Sequence, residues 1–377
     1  MRILWISDSP AAFTGYGTVS REILARLPAL GHEVAAIGWG HAGWPVDRAA
    51  FPYEIYPADA RLFGRDAAAR AVAHFRPDVV VALGDLWMVD WLKEFQVPGH
   101  PFRLVVYFPV DGTPFPRVSE AILRRADAAV AYSCFGRRQA VAACPGLEVD
   151  MIYHGVDLET FRPLGPRGAV QAEHGLEGRF VVGCVARNQP RKQLPVLVRA
   201  FAEFSRGRDD ALLYLHTDPA DPVGWDLGEV VRRHGVEGRV AFSCQASVAR
   251  GIDAAGLNRI YNLMDVMALP TTGEGFGVPI LEAMAAGVPV LATRCSACEE
   301  LVKGRGELIA VEAFFPVGRN AVEHALPSAD DLAAKLALLH GDPARRERHA
   351  RAGLDFAREL GWERLMPKWG ELLERFA

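Results

Sequence analysis

The chain has 377 residues, a length that favours two domains over one. Half of the residues are hydrophobic and 23% are charged, as in globular proteins with large buried cores. The formal net charge of −4 argues against a nucleic-acid partner, because affinity for phosphate backbones comes mostly from clustered Lys and Arg. No window approaches 18 uncharged apolar residues, and the N-terminus enters a strand directly. We therefore expect a cytoplasmic protein without a transmembrane segment; a peripheral membrane contact stays open.

Six cysteines in a chain of this length do not form a disulfide scaffold. Cys184 and Cys244 lie in apolar runs, which favours small core side chains. Cys295 and Cys298 form one Cys-x-x-Cys pair, but a zinc site would need a second pair or histidines at suitable spacing, and none follows. The cysteines therefore predict no metal site.

The chain repeats a short apolar strand, a turn and an amphipathic helix. In the first half, strands are predicted at 3–7, 33–38, 79–83, 104–108 and 128–132, and a helix follows the glycine-containing loop 10–17. The alternation of strands and helices begins again near Phe180. Strands are predicted there at 180–186, 211–216, 240–242, 265–269 and 288–293, and helices at 194–204, 227–234, 257–263 and 278–286. Alternating strands and helices predict parallel sheets covered on both faces, so the fold class is α/β with two doubly wound, Rossmann-like domains.

The loop richest in candidate functional residues lies at 271–277, between a predicted strand and a predicted helix. It carries glycines that can bring bare backbone N–H groups and the positive end of the helix dipole to an anion. Those glycines are Gly273, Gly275 and Gly277. Glu274 and Glu282 lie at the same mouth and are suited to accept hydrogen bonds from hydroxyls. The pattern fits a polyhydroxylated ligand that carries phosphate; the alternative is a tight turn in which Glu282 only complements the helix dipole.

Three cations follow the strand at 180–186, namely Arg187, Arg191 and Lys192. Ligands of open parallel sheets bind beyond the carboxyl ends of the strands. Arg offers phosphate a planar donor fork, and Lys offers a compact charge. The loop predicts a diphosphate clamp in which Arg187 and Lys192 rank ahead of Arg191; the alternative is a solvated charged loop.

Two further loops are candidates. Gly15 and Gly17 precede a helix, but Ser20 takes the last glycine position of a dinucleotide fingerprint, so Gly17 is retained only for close backbone approach to a phosphate or an acceptor. Asp111 follows the strand at 104–108 and is suited to orient an acceptor hydroxyl or to take its proton; the alternative is an Asp-Gly turn. No role is assigned to His154 or His216.

An Asp-x-Asp pair, which commonly holds a divalent cation at the diphosphate of a sugar nucleotide, occurs nowhere in the sequence. Its absence beside three cations predicts that protein charge neutralises the leaving group. We therefore expect no metal and no cofactor.

These motifs resemble the family-4 retaining glycosyltransferases of the GT-B architecture. The segment Glu274-Gly-Phe-Gly-Val-Pro-Ile-Leu-Glu282 matches the family's E-x7-E signature, and Arg187 and Lys192 match its spaced diphosphate-binding pair, with Gln193 where the family has glycine. His154-Gly-Val-Asp157 resembles the interdomain Asn-Gly-Val-Asp segment.

The resemblance implies a role for each matched residue. Glu274 would contact donor sugar hydroxyls, Glu282 the ribose, and the backbone of Gly275, Phe276 and Gly277 the sugar and phosphate. The family's His-Asp pair is Val110-Asp111 here, so the histidine that usually helps to hold the transferred sugar is missing, and Asp111 is expected to take more of its role.

The resemblance also implies the domain organisation. Two Rossmann-like domains would face a central cleft: an acceptor-side domain over 1–160 and a nucleotide-sugar-binding domain over 168–350. The segment 351–377, with Trp362 at the start of its last helix, would return to the N-terminal domain.

We predict a hexosyltransferase that moves a hexose from a nucleotide-diphosphate sugar to a hydroxyl acceptor, with retained configuration. The acceptor could be a glycan, a lipid-linked molecule or a small molecule. Two other functions stay open: a GT-B sugar-nucleotide epimerase and a non-catalytic nucleotide-sugar-binding protein. The sequence does not name the base, the sugar, the acceptor or the oligomeric state.

Overall fold

The computed structural model describes residues 1–243 and 251–377. Cys244, predicted as a core residue, lies outside the described residues. The chain divides into two compact units: Met1–Gly155 with Trp362–Ala377, and Val156–Gly361. We call them the N-terminal unit and the C-terminal unit. The structure thus puts the divisions at 155/156 and 361/362, whereas the sequence put them near 160 and 350.

The strands of the described residues are β1 (Arg2–Asp8), β2 (Glu33–Trp39), β3 (Glu54–Ala58), β4 (Val79–Leu83), β5 (Arg103–Phe108), β6 (Ala128–Ala131), β7 (Asp150–Met151), β8 (Phe180–Val185), β9 (Ala211–His216), β10 (Val240–Phe242), β11 (Val266–Leu269), β12 (Val290–Thr293), β13 (Gly306–Ile309), β14 (Val311–Val317) and β15 (Val322–Pro327).

The helices of the described residues are α1 (Gly15–Arg26), α2 (Arg65–Phe75), α3 (Leu86–Val89), α4 (Glu120–Arg125), α5 (Cys134–Ala143), α6 (Arg167–Ala172), α7 (Leu194–Phe204), α8 (Leu227–Arg233), α9 (Ala254–Leu263), α10 (Val278–Ala285), α11 (Ser296–Val302), α12 (Ala329–Gly341), α13 (Pro343–Glu359) and α14 (Trp362–Glu374). No helix in the described ranges is long and apolar enough to cross a membrane.

The N-terminal unit is built on a parallel sheet with strand order β3-β2-β1-β4-β5-β6-β7. Strand β1, in the interior of this sheet, is fully buried from Ile3 to Trp5, as expected where helices cover both faces of a sheet. The last helix, α14, packs into this unit: the ring of Trp369 lies 5.7 Å from that of Trp5 and 5.0 Å from that of Tyr107. The aromatic contacts therefore fix the C-terminal segment on the first sheet.

The C-terminal unit is built on a second parallel sheet with strand order β10-β9-β8-β11-β12-β13. The strand order reverses between β8 and β11, so the loops that leave these two neighbouring strands flank a topological switch point, where open α/β sheets bind ligands. The two parallel sheets confirm the predicted pair of Rossmann-like domains. The sequence prediction missed the antiparallel hairpin β14–β15, whose Ala325 N–H donates to the Thr272 carbonyl at 2.9 Å.

Candidate functional site

The candidate site lies at the carboxyl edge of the second sheet, where the loops after β8 and β11 meet. Backbone hydrogen bonds join the two loops: the Thr272 N–H donates to the Arg191 carbonyl at 2.8 Å, and the Thr271 hydroxyl donates to the same oxygen at 3.2 Å. Because neighbouring parallel strands end at the same edge, the cation-bearing loop and the glycine-rich loop become one surface. The structure thus brings together two segments that the sequence singled out separately.

At the centre of this surface, Glu274 is held between two cations. Its Oε1 lies 2.5 Å from the Lys192 Nζ, and its Oε2 lies 2.8 Å from the Arg191 Nη1. The Lys192 and Glu274 side chains are only 9% and 7% exposed. Burial alone would raise the pKa of Glu274, but the charges and hydrogen bonds of Arg191 and Lys192 outweigh it and lower that pKa to about 2. Glu274 is therefore a fixed carboxylate at neutral pH.

The backbone of Glu274 contacts the first residue of α11. The Glu274 N–H donates to the Ser296 hydroxyl at 2.8 Å. Ser296 itself has a φ of +41°, in the left-handed region that non-glycine residues rarely adopt. The sequence prediction missed Ser296, because a single serine at the start of a short helix carries no signal of its own.

Helix α10 begins at the mouth of the site. Gly277 precedes it with a φ of +105°, a conformation that favours glycine, and an added Cβ there would lie 2.9 Å from the Ile280 side chain. Among the described residues, no partner accepts a hydrogen bond from the backbone N–H groups of Gly275 and Gly277. Free N–H groups at a helix N-terminus are suited to bind an anion.

Glu282 lies farther along α10 and is also buried. Its Oε2 accepts a hydrogen bond from the Tyr261 hydroxyl at 2.8 Å, so a side chain of α9 fixes the orientation of this carboxylate. The two glutamates of the motif therefore have different surroundings: Glu274 is bound by cations, whereas Glu282 is bound by a phenol.

Arg187 does not join the cluster around Glu274. Its Nε donates to Asp221 Oδ2 at 2.7 Å, and its Nη2 donates to Oδ1 at 3.4 Å. Arg191 and Lys192 instead share the Glu274 carboxylate. The predicted ranking for diphosphate binding, with Arg187 and Lys192 ahead of Arg191, stays a prediction. Sequence reasoning missed Asp221, since it lies in a different loop.

In the N-terminal unit, Gly17 lies in the first turn of α1, where its N–H donates to the Thr14 hydroxyl at 3.0 Å. An added Cβ at Gly17 would lie 2.5 Å from the Ala12 carbonyl oxygen, so close packing already explains the glycine. Donor binding by Gly17 stays a prediction.

Asp111 is half-buried in the loop after β5. Burial, together with the negative charges of Asp85, Asp111 and Asp8, raises the pKa of Tyr16 well above its usual value. These three carboxylates therefore lie near the Tyr16 phenol, at the carboxyl edge of the first sheet.

The two histidines that received no role are both held neutral. Burial lowers the pKa of His154 to about 3, and its Nδ1 lies 2.9 Å from the Tyr107 hydroxyl, inside the N-terminal unit. Burial also lowers the pKa of His216 at the end of β9. Both imidazole rings are therefore uncharged at neutral pH.

Solved structures share this architecture over the whole chain. Sucrose-phosphate synthase from Thermosynechococcus elongatus has a TM-score of 0.79 at 20% identity, covering 100% of this chain and 98% of that chain. Anabaena Alr3699/HepE, solved in complex with UDP-glucose, has a TM-score of 0.75 at 19% identity and covers 100% of both chains. The fold is therefore GT-B, as the sequence predicted.

Part of the C-terminal unit is also similar to a known protein family. Residues 179–335, within the C-terminal unit, match the family model of glycosyl transferases group 1. The D-inositol 3-phosphate glycosyltransferase of Segniliparus rotundus is 28% identical over 220 residues, which cover 57% of this chain and 44% of that protein. The chain spans about half the length of the curated relatives it matches.

Proposed function

We propose that this chain transfers a hexose from a nucleotide-diphosphate sugar to a hydroxyl acceptor, with retention of configuration and without a metal ion. The observation that carries the proposal is the buried cluster of Arg191, Lys192 and Glu274 beside the free N–H groups of Gly275 and Gly277. Cations and helix-terminal N–H groups bind a diphosphate, and a fixed carboxylate accepts hydrogen bonds from sugar hydroxyls. The complex of the Anabaena neighbour with UDP-glucose supports the donor class.

The chemistry follows from this assignment of groups. The acceptor oxygen forms a bond to the anomeric carbon while the bond between that carbon and the diphosphate oxygen breaks. The leaving nucleoside diphosphate takes the electron pair and receives the acceptor's proton on the same face of the sugar, which retains the configuration. Lys192, Arg191 and Arg187 stabilise the charge that develops on the leaving diphosphate.

Glu274 acts on the transferred sugar in this proposal, and Glu282 on the ribose. A carboxylate next to the sugar hydroxyls strengthens its contacts as positive character develops at the anomeric carbon. Glu282, oriented by Tyr261, accepts hydrogen bonds that ground state and transition state share.

We assign the acceptor to the carboxyl edge of the first sheet. The segments that follow the adjacent strands β2, β1 and β4 carry large side chains that the fold leaves exposed, and these are Trp44, Phe13 and Trp87. Asp111 and Asp85 lie at the same edge near Tyr16. Aromatic faces beside carboxylates suit a polyhydroxylated acceptor, and Asp111 is the candidate to orient its hydroxyl. The cytoplasmic location and the absence of a cofactor stay predictions.

Product analysis tests the proposal. The protein is incubated in EDTA with UDP-, GDP- and ADP-hexoses and a panel of glycoside, glycolipid and polyol acceptors, and products are followed by NMR. We expect release of nucleoside diphosphate and a new glycosidic bond with the anomeric configuration of the donor. Conversion of the donor to its epimer without an acceptor, binding without turnover, or a requirement for Mn²⁺ would each contradict a part of the proposal.

A further inference from the structure

The loop between β9 and α8 is fastened to the cation-bearing loop by a buried asparagine. The Asn188 Nδ2 donates to the Trp225 carbonyl at 2.6 Å, and its Oδ1 accepts the Trp225 N–H at 3.1 Å. An added Cβ at Gly224 would lie 2.3 Å from the Asn188 side chain, so the two loops are in close contact. This packing fixes the segment that carries Asp221.

Asp221 uses only one edge of the Arg187 guanidinium. Its oxygens accept from Nε and Nη2, and guanidinium has five N–H donors in a planar fork. The Nη1 edge makes no hydrogen bond within the described residues, and the Arg187 side chain is 47% exposed. One edge of the fork is therefore occupied, and a second edge is available at the carboxyl end of β8.

The Asp221 carboxylate is much less accessible than its partner. Its side chain is 9% exposed, and its Oδ1 also accepts the Val223 N–H at 3.1 Å. A ligand that pulled Arg187 away would leave this buried carboxylate without its counter-charge, which is strongly unfavourable. The hydrogen bond from Arg187 lowers the pKa of Asp221, so the carboxylate is charged at neutral pH. An anion is therefore expected to bind the free edge of Arg187 without breaking the ion pair.

We infer that Asp221 is a positioning residue: it holds Arg187 with its outer edge directed to bind the donor diphosphate. The inference rests on the proposed donor class, and it adds a residue that neither the glycine-rich motif nor the cation-bearing loop contains. Asp221 does not touch the ligand itself. Its effect on binding passes entirely through Arg187.

A double-mutant cycle tests this dependence. Calorimetric titration with UDP, GDP and ADP identifies the nucleoside diphosphate that binds wild type most tightly, and its Kd is then measured for D221N, R187A and the double variant. We expect D221N and R187A each to weaken binding about ten-fold, and the double variant to be no weaker than R187A alone. D221E, which keeps the charge on a longer side chain, should recover part of the loss.

The control is D209N, which removes the exposed carboxylate of the Arg239–Asp209 pair elsewhere in the same unit and should leave the Kd unchanged. If D221N weakens binding equally in the R187A background, Asp221 acts on the loop and not through Arg187, and the inference is wrong. Tighter binding by D221N would make Asp221 a competitor of the phosphate and would also overturn it. In these two cases wild type still binds the nucleotide, so the proposed function stands although the inference fails. If wild type did not bind any of the nucleotides, the inference and the proposed function would both be wrong.

Discussion

Among the residues of the site, Glu274 is expected to affect both stability and activity, because two cations share its carboxylate. Glu274→Gln leaves Lys192 buried without its counter-charge, which should lower the free energy of unfolding by about 3 kcal/mol. The same change should lower kcat more than it raises KM, since the proposed contact between Glu274 and the sugar would strengthen in the transition state. Urea denaturation and steady-state kinetics measure both effects.

Glu282→Gln is the matched comparison within the same motif. The amide oxygen that this change introduces can still accept from the Tyr261 hydroxyl, so we expect a smaller loss of stability and mainly a higher KM for the donor. If Glu282→Gln lowered kcat and Glu274→Gln raised only KM, the two roles would be exchanged. Absence of any kinetic effect in either variant would leave the motif with a structural role only.

The pKa of Glu274 also predicts a pH dependence of stability. The folded-state pKa is about 2 and the ordinary glutamate value is 4.5, so the folded state binds the proton less readily than the unfolded state. The stabilising contribution is then complete above about pH 4.5 and is lost as the pH falls toward 2. The difference in Tm between wild type and Glu274→Gln should be constant from pH 7 to about 4.5 and narrow below it. If the difference in Tm between the two proteins had already disappeared above pH 5, the low pKa of Glu274 would not be its cause.

The residue types of the site could be predicted from the sequence, but their partners could not. Three cations after one strand and two glutamates in a glycine-rich loop are visible as local patterns. Which arginine reaches Glu274 depends on side-chain torsions, and the structure assigns this contact to Arg191. Arg187 pairs with Asp221, a residue in the loop after a neighbouring strand, and only the fold brings these loops together.

Among the elements, helix α10 offers a comparison between its two ends. Gly277 precedes the helix with a φ of +105°, and Gly287 follows it with a φ of +71°. Alanine at either position should cost about 1–2 kcal/mol of stability, because both need left-handed backbone. Only Gly277→Ala should also weaken nucleoside diphosphate binding, since Gly277 lies at the site. If calorimetry gave Gly277→Ala the same affinity for the nucleoside diphosphate as Gly287→Ala, the loop that contains Gly277 would not contact the ligand.

Element prediction succeeded where local pattern and tertiary packing agree. The predicted helix at 194–204 and the predicted strands at 211–216 and 240–242 coincide with α7, β9 and β10. The strand β3 was missed: its sequence Glu-Ile-Tyr-Pro-Ala contains a proline and a charge, and its strand conformation comes from pairing with β2. The hairpin β14–β15 was missed because β14 is largely exposed and has no apolar alternation.

For the whole molecule, the C-terminal helix is predicted to stabilise the N-terminal unit. Trp369 is fully buried against Trp5 and Tyr107, so Trp369→Ala should lower the free energy of unfolding of that unit by about 3–5 kcal/mol. Trp87→Ala, at an exposed tryptophan of the same unit, is the control and should change stability much less. Thermal denaturation followed by near-UV circular dichroism measures both. Similar Tm values for the two variants would mean that the aromatic contacts of α14 contribute little.

Metal-free binding of a nucleoside diphosphate by the C-terminal unit is the central property proposed for this protein. The test is calorimetric titration of wild type, Lys192→Ala and Arg187→Ala with UDP, GDP and ADP in excess EDTA. We expect at least one nucleotide to bind wild type, and each variant to bind it roughly ten- to a hundred-fold more weakly, as expected for loss of a charge-assisted hydrogen bond worth about 1.5–3 kcal/mol. This proposal would be contradicted if none of the three nucleotides bound wild type, or if binding required added Mn²⁺. It would also be contradicted if both variants bound the nucleotide as tightly as wild type does.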